Sequence, residues 1–198
     1  MIISNYVSKR IVNILSTQNI IESEETIFYE YCFDFTLDIL LFSTNIFLFG
    51  AFIEMPIQSL VIIFTLMPTK MLAGGAHANS IHICSLISYF VVFIIFYLTK
   101  LPSAIPLEYN IIFNIIISIA IMIMAPVDHP NKRFSPEKKK KIKLMCAAYI
   151  MVINAIYVLV LYFNYYMYLK PMTLCLITIA INQIIGIITD KERKIPQK

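Results

Sequence analysis

The sequence predicts an all-α integral membrane protein of about six transmembrane helices, and three observations carry that prediction. Of its 198 residues, 59% are hydrophobic and only 14% are charged, well outside the balance of an ordinary soluble domain. Charge-poor stretches recur along the chain, several of them near the roughly 20 residues that cross a bilayer core of about 30 Å. The basic residues fall between those stretches in a pattern that a single orientation explains. With the N-terminus inside, Lys9, Arg10, Lys70, the segment DHPNKRFSPEKKKKIK (128–143) and the tail DKERKIPQK (190–198) all face the cytoplasm. Only Lys100 and Lys170 of the 16 Lys and Arg residues then lie outside, as the positive-inside rule requires, and both termini are cytoplasmic.

Taken in order, the opening residues MIISNYVSKRIV place Lys9 and Arg10 inside the segment and lack an apolar h-region with a cleavage site, so they read as part of the mature chain. Ile3, Val7, Ile11 and Ile14/Leu15 recur at helical spacing, which predicts an amphipathic helix lying on the cytoplasmic leaflet. The stretch ESEETIFYEYCFD (22–34) reads as a second surface segment with acids at its N-terminal end. Spans are then expected over 35–53, 55–69, 85–99, 109–127, 144–169 and 171–189. The second is short and holds Pro56 and Pro68, which makes it the candidate for a tilted or re-entrant helix. The whole chain, 1–198, reads as one membrane domain: an interfacial segment (1–33), a transmembrane bundle (34–189) and a cytoplasmic tail (190–198).

Composition also excludes. Cys32, Cys84, Cys146 and Cys175 form no CxxC pair and lack the density of a disulfide scaffold, so they read as free thiols. The basic residues flank apolar spans and do not line a soluble face, which argues against nucleic-acid binding.

The scarce polar chemistry collects in AGGAHANSIHICSLIS (73–88). Gly74 and Gly75 permit backbone angles that break a helix. Asn79 or Ser80 can then cap a helix running into the third span. Cys84 falls in the first turn of that helix, where the unpaired N–H groups favour negative charge and hence a thiolate nucleophile. His77 is seven residues earlier and would sit about 10 Å away in one unbroken helix, so contact requires the chain to bend between them. His82 points about 200° away from Cys84 on a helix, which leaves His77 as the better base. A Cys with a His base suffices for covalent acyl transfer. The plain alternative is a small packing cysteine beside two interfacial histidines. The His77, His82 and Cys84 spacing fits no usual zinc pattern, and no metal or cofactor is expected.

KMLAGGAHANSIHICSLIS, followed by APVDHPNKRFSPEKKKKIK between two apolar spans, resembles the AgrB family over essentially the whole chain. These are membrane cysteine endopeptidases of Gram-positive peptide quorum sensing. The resemblance implies cleavage of an AgrD-like propeptide, a thioester on the enzyme cysteine, and release of a cyclic thiolactone. By motif match the catalytic residues are Cys84 and His77, with Lys70 and Gly75 in supporting or substrate-binding positions of the same signature. Lys70 stands where Arg would serve as readily, which weakens any role needing a forked guanidinium.

Bland readings remain for the other polar residues. The basic segment 132–143 anchors topology and attracts anionic lipid, with a hold on an acidic part of the propeptide as the second reading. Asp34 and Asp38 read as acids at a helix N-terminus. Asp128 and these two are also the carboxylates that could orient His77. Asn45, Asn110, Asn114, Asn154, Asn182 and Gln183 read as interhelical hydrogen-bonding groups, and YFNYYMY (162–168) as an outer aromatic belt. Helices rich in Ser, Ala and Asn can self-associate, so a homo-oligomer is compatible with the sequence. The rival function is a small multi-pass transporter or peptide-export component without catalytic activity.

Overall fold

The computed structural model describes residues 2–18, 20–76, 81–102, 106–127 and 135–194. His77, Asn79, Ser80 and Asp128 lie outside the described residues. Those that are described form seven α-helices and no strand, gathered into two compact units, Met1–Pro56 and Ile57–Lys198. Six of the helices are long and apolar enough to cross a membrane.

In the first unit, α1 (Ile2–Thr17) packs against α2 (Thr26–Phe52), with a short 3-10 turn at Ser23–Glu25 before α2. Ser4, Ser8 and Val12, spaced i, i+4, i+8, are the buried residues of α1, whereas Ile14 is half exposed. The sequence did not anticipate this packing of α1 on α2. Small side chains let helix backbones approach closely, and the Ser8 hydroxyl is satisfied locally by the Asn5 carbonyl at 3.0 Å. A second difference follows in α2. Residues 22–34 do not form a separate surface segment, because nothing between Thr26 and Phe49 is Gly or Pro and the helix runs on unbroken. Asp34 and Asp38 consequently sit in the ninth and thirteenth positions of α2, beyond the first turn where a helix N-terminus favours acids.

The second unit holds α3 (Pro56–Ala73), α4 (Ile81–Lys100), α5 (Leu107–Met124), α6 (Pro136–Tyr162) and α7 (Leu169–Lys194). Pro56 opens α3, at a position whose N–H has no helical partner in any case. Pro68 lies inside and removes the N–H that would bond the Phe64 carbonyl. The Tyr149 hydroxyl of α6 donates to that carbonyl instead. A neighbouring helix thereby meets the freed backbone group, and α3 extends four residues past its expected end at Thr69.

The described part of the basic segment, 135–143, is helical and not a loop. Ser135 caps α6 by accepting from the Lys138 N–H at 3.4 Å, Pro136 takes the first helical position, and the four lysines 138–141 occupy the first two turns. At the far end α6 stops at Tyr162, where Asn164 adopts a positive φ of 60°, so the expected span over 144–169 divides before the 3-10 turn Tyr166–Tyr168. Tyr162, Phe163, Tyr165, Tyr166 and Met167 are exposed, as an interfacial belt requires.

Polar groups join the helices internally. Asn114 of α5 donates to the Asn154 Oδ1 of α6 at 2.8 Å, Asn154 donates to the Ser118 hydroxyl at 3.0 Å, and the Tyr157 hydroxyl reaches Asn110 Oδ1 at 3.4 Å. Asn110, Asn114 and Ser118 are i, i+4, i+8 on α5, so they form one seam along the α5–α6 contact, as expected of such groups in spans. The helix ends alternate. Lys170 Nζ donates to the Leu101 carbonyl at 2.6 Å, which puts the end of α4 beside the start of α7. Lys143 Nζ reaches the Ile123 carbonyl at 3.4 Å, which puts the start of α6 beside the end of α5. Lys100 and Lys170 are therefore at one end of this unit, and the lysines of α6 are at the other with the Gly-Gly turn.

Candidate functional site

Cys84 is the fourth residue of α4, which is described from Ile81; the expected caps Asn79 and Ser80 lie outside the described residues. The inward stripe of α4 is legible in its burial. Cys84, Ser85, Ser88 and Tyr89 are half-buried, and Val92, Ile95 and Phe96 are buried, at the i, i+3/i+4 spacing of one helix face. Leu86, Phe90, Ile94 and Tyr97 on the other side are exposed, which suits lipid. Among the described side chains Cys84 is the first of the inward stripe, a free, half-buried thiol.

Lys70 is brought to the same face. It lies in the last turn of α3, and its Nζ donates to the Ser88 hydroxyl at 3.3 Å. Ser88 is one turn beyond Cys84, about 6 Å along the axis at 1.5 Å per residue. The carbonyl of Lys70 meanwhile accepts the Gly74 N–H at 3.1 Å, so one residue holds both the turn and the face of the cysteine.

The Gly-Gly turn is required by its surroundings. Gly74 has φ +70°, and a Cβ there would stand 2.4 Å from the Val127 carbonyl oxygen. Gly75 has φ +144°, and its Cβ would stand 2.2 Å from Asn182 Nδ2. Both angles lie in the region that disfavours any side chain. The Val127 N–H donates to the Ala73 carbonyl at 2.9 Å, and the Ala76 N–H donates to the Asn182 carbonyl at 3.1 Å. The chain leaving α3 thus passes between the end of α5 and the inner face of α7. His77, the next residue, falls outside the described residues, as does the expected bend between it and Cys84.

Two contributors to this turn were not singled out for it in the sequence. Gly186 of α7 faces Gly75, and Gln183 of α7 reaches the Ala73 carbonyl at 3.2 Å. A glycine inside an otherwise apolar span was the available signal for the first; Gln183 read only as a general interhelical group.

A half-buried thiol on the inward face of a span, with a lysine on that face and a glycine turn leading to a histidine, defines a polytopic membrane protein with a candidate nucleophile near one end of its helices. The sequence model of the accessory gene regulator B family, AgrB, matches residues 8–187, and the chain belongs to that family. It is 28% identical over 103 residues to an AgrB-like protein of Clostridium perfringens strain SM101, covering 49% of this chain and 48% of that one. It is 23% identical over 141 residues to AgrB-like protein 2 of Clostridium perfringens strain 13, covering 68% and 66%. The chain thus spans about half the length of the first of these relatives and about two thirds of the second. No solved structure matches it.

Proposed function

We propose that this protein is a membrane-embedded cysteine endopeptidase that processes an AgrD-like propeptide. The observation that carries the reading is Cys84 on the inward stripe of α4, with Lys70 bonded to the same face one turn away. Family membership supplies the substrate class.

In this reading His77 takes the proton of Cys84, and the thiolate attacks the carbonyl carbon at the cleavage site. The C–N bond breaks, the departing amine takes the proton from His77, and the retained peptide stays on Cys84 as a thioester. A cysteine thiol of the peptide then attacks the thioester carbonyl, the bond to Cys84 Sγ breaks, and a thiolactone leaves with the enzyme thiol restored. Lys70, whose ammonium lies on the Cys84 face, stabilises negative charge that develops at the carbonyl oxygen or on the substrate. Gly75 serves by letting the chain pass α7. Apolar helices around the site limit water, which would otherwise hydrolyse the thioester.

The site faces the cytoplasm of a Gram-positive cell in this reading, because the end of the second unit that bears the Gly-Gly turn also bears the α6 lysines. Those lysines, at the N-terminal end of α6, hold the headgroups of anionic lipids. Cleavage of a matched propeptide by the intact chain in vesicles tests the proposal. Cys84→Ala and His77→Ala are expected to abolish cleavage; movement of peptide across the vesicle that survives Cys84→Ala would favour the transporter instead.

A further inference from the structure

Gln183 is fully buried, and its side-chain amide is used unevenly. Its Nε2 donates to the Ala73 carbonyl at 3.2 Å and lies 3.5 Å from the Ile121 carbonyl, whereas its Oε1 has no partner among the described residues. A buried acceptor left unmet is costly, so the contribution of this residue rests on its donor side. That donor ties the last residue of α3 to the last turn of α5, from a side chain on α7. One turn along α7, Gly186 lets the exit of the Gly-Gly turn lie directly on the helix: a Cβ there would stand 2.7 Å from the Gly75 carbonyl carbon and 2.8 Å from the Ala76 nitrogen. Asn182, the residue before Gln183, holds the Ala76 N–H through its carbonyl at 3.1 Å.

The geometry points to Gln183 and Gly186 as positioning residues for the Cys84 and His77 pair. This rests on the cysteine-peptidase reading above. The device divides the support between two helices: Cys84 rides on α4, whereas Ala76, the residue before His77 in the sequence, is held on α7. Loosening that hold changes the chain that leads into His77, and a misplacement of about 1 Å at a reacting group can cost roughly a hundredfold in rate. Neither residue is assigned a contact with the peptide, so substrate affinity is expected to stay unchanged.

The test uses the full chain in lipid nanodiscs with a synthetic matched propeptide, comparing unaltered protein, Gln183→Met, Gly186→Ala and Cys84→Ala. Gln183→Met keeps length and volume and removes the donor. The expected result is a kcat lowered by roughly a hundredfold in both α7 variants with KM essentially unchanged. Alkylation of Cys84 by iodoacetamide, followed by mass mapping, should be slower in the same variants. Gln183→His, which restores an N–H donor, should recover part of the rate. Unchanged kcat in folded Gln183→Met and Gly186→Ala would overturn the proposal, and so would a rise in KM at constant kcat. Loss of folded protein in both, judged by size exclusion, would make the two residues purely structural and also count against it. Undiminished cleavage by Cys84→Ala would instead remove the underlying peptidase reading, whatever the α7 variants do.

Discussion

Gly75 and Gly186 lie back to back where the chain leaving α3 crosses α7, so close that a Cβ on Gly186 would stand 2.7 Å from the Gly75 carbonyl carbon. Three of the four glycines in the chain, Gly74, Gly75 and Gly186, meet at this crossing. Alanine is ordinarily about 1 kcal/mol better than glycine inside a helix. At position 186 the sign should reverse, because the contact is backbone and has no side chain to move aside. Gly186→Ala is expected to destabilise the folded protein by about 1–3 kcal/mol, an overpacking cost, read from thermal unfolding in detergent. A raised melting temperature would contradict the crossing.

Tyr149→Phe should leave the Phe64 carbonyl without the donor that replaces the missing N–H of Pro68. The expected cost is about 1–3 kcal/mol, that of a backbone carbonyl left unmet in a membrane-spanning helix. Pro68→Ala supplies the N–H from within α3, so Tyr149→Phe should cost much less in that background. A double-mutant cycle of unfolding free energies checks the coupling.

The α5–α6 seam gives a smaller effect. Asn154 bonds Asn114 and Ser118 as well as its own Ile150 carbonyl at 2.8 Å, so Asn154→Leu should destabilise by about 1 kcal/mol while leaving cleavage intact in the folded fraction. Lost cleavage in fully folded Asn154→Leu would show that the seam reaches the site.

Lys70→Met should lower kcat by about a hundredfold, the usual scale for removing one group that stabilises developing negative charge. Ser88→Ala removes only the neutral partner of the ammonium and is expected to change the rate by about threefold or less. Lys70→Arg keeps the charge but reshapes its donors, and an intermediate rate is expected. Steady-state kinetics on the three variants separates charge from hydrogen bonding.

The number of spans and the break after α3 were legible because both depend on patterns local in sequence: apolar length for the first, the Gly74-Gly75 pair for the second. Boundaries were less legible. The four lysines 138–141 read as a loop because charge usually marks one, yet Ser135 and Pro136 are a helix-start signal in their own right, and the helix begins there. Residues 22–34 read as a separate segment because of their acids, although no Gly or Pro interrupts the helix. The packing face of α1 was not anticipated, because hydrophobic periodicity finds the greasiest stripe, whereas close approach between helices selects the smallest one, Ser4 and Ser8. Gln183 and Gly186 lie more than a hundred residues beyond the turn they support, and no local pattern ties them to Ala73 and Gly75.

The most direct test is to mix the full chain in membranes with a matched propeptide for a single turnover, quench in acid, and map any peptide bound to the enzyme by mass spectrometry before and after hydroxylamine. A hydroxylamine-labile adduct on Cys84, absent in Cys84→Ala and greatly reduced in His77→Ala, is the predicted result. Cleavage that proceeds without an adduct at Cys84, or an adduct mapped to Cys32, Cys146 or Cys175, would contradict it.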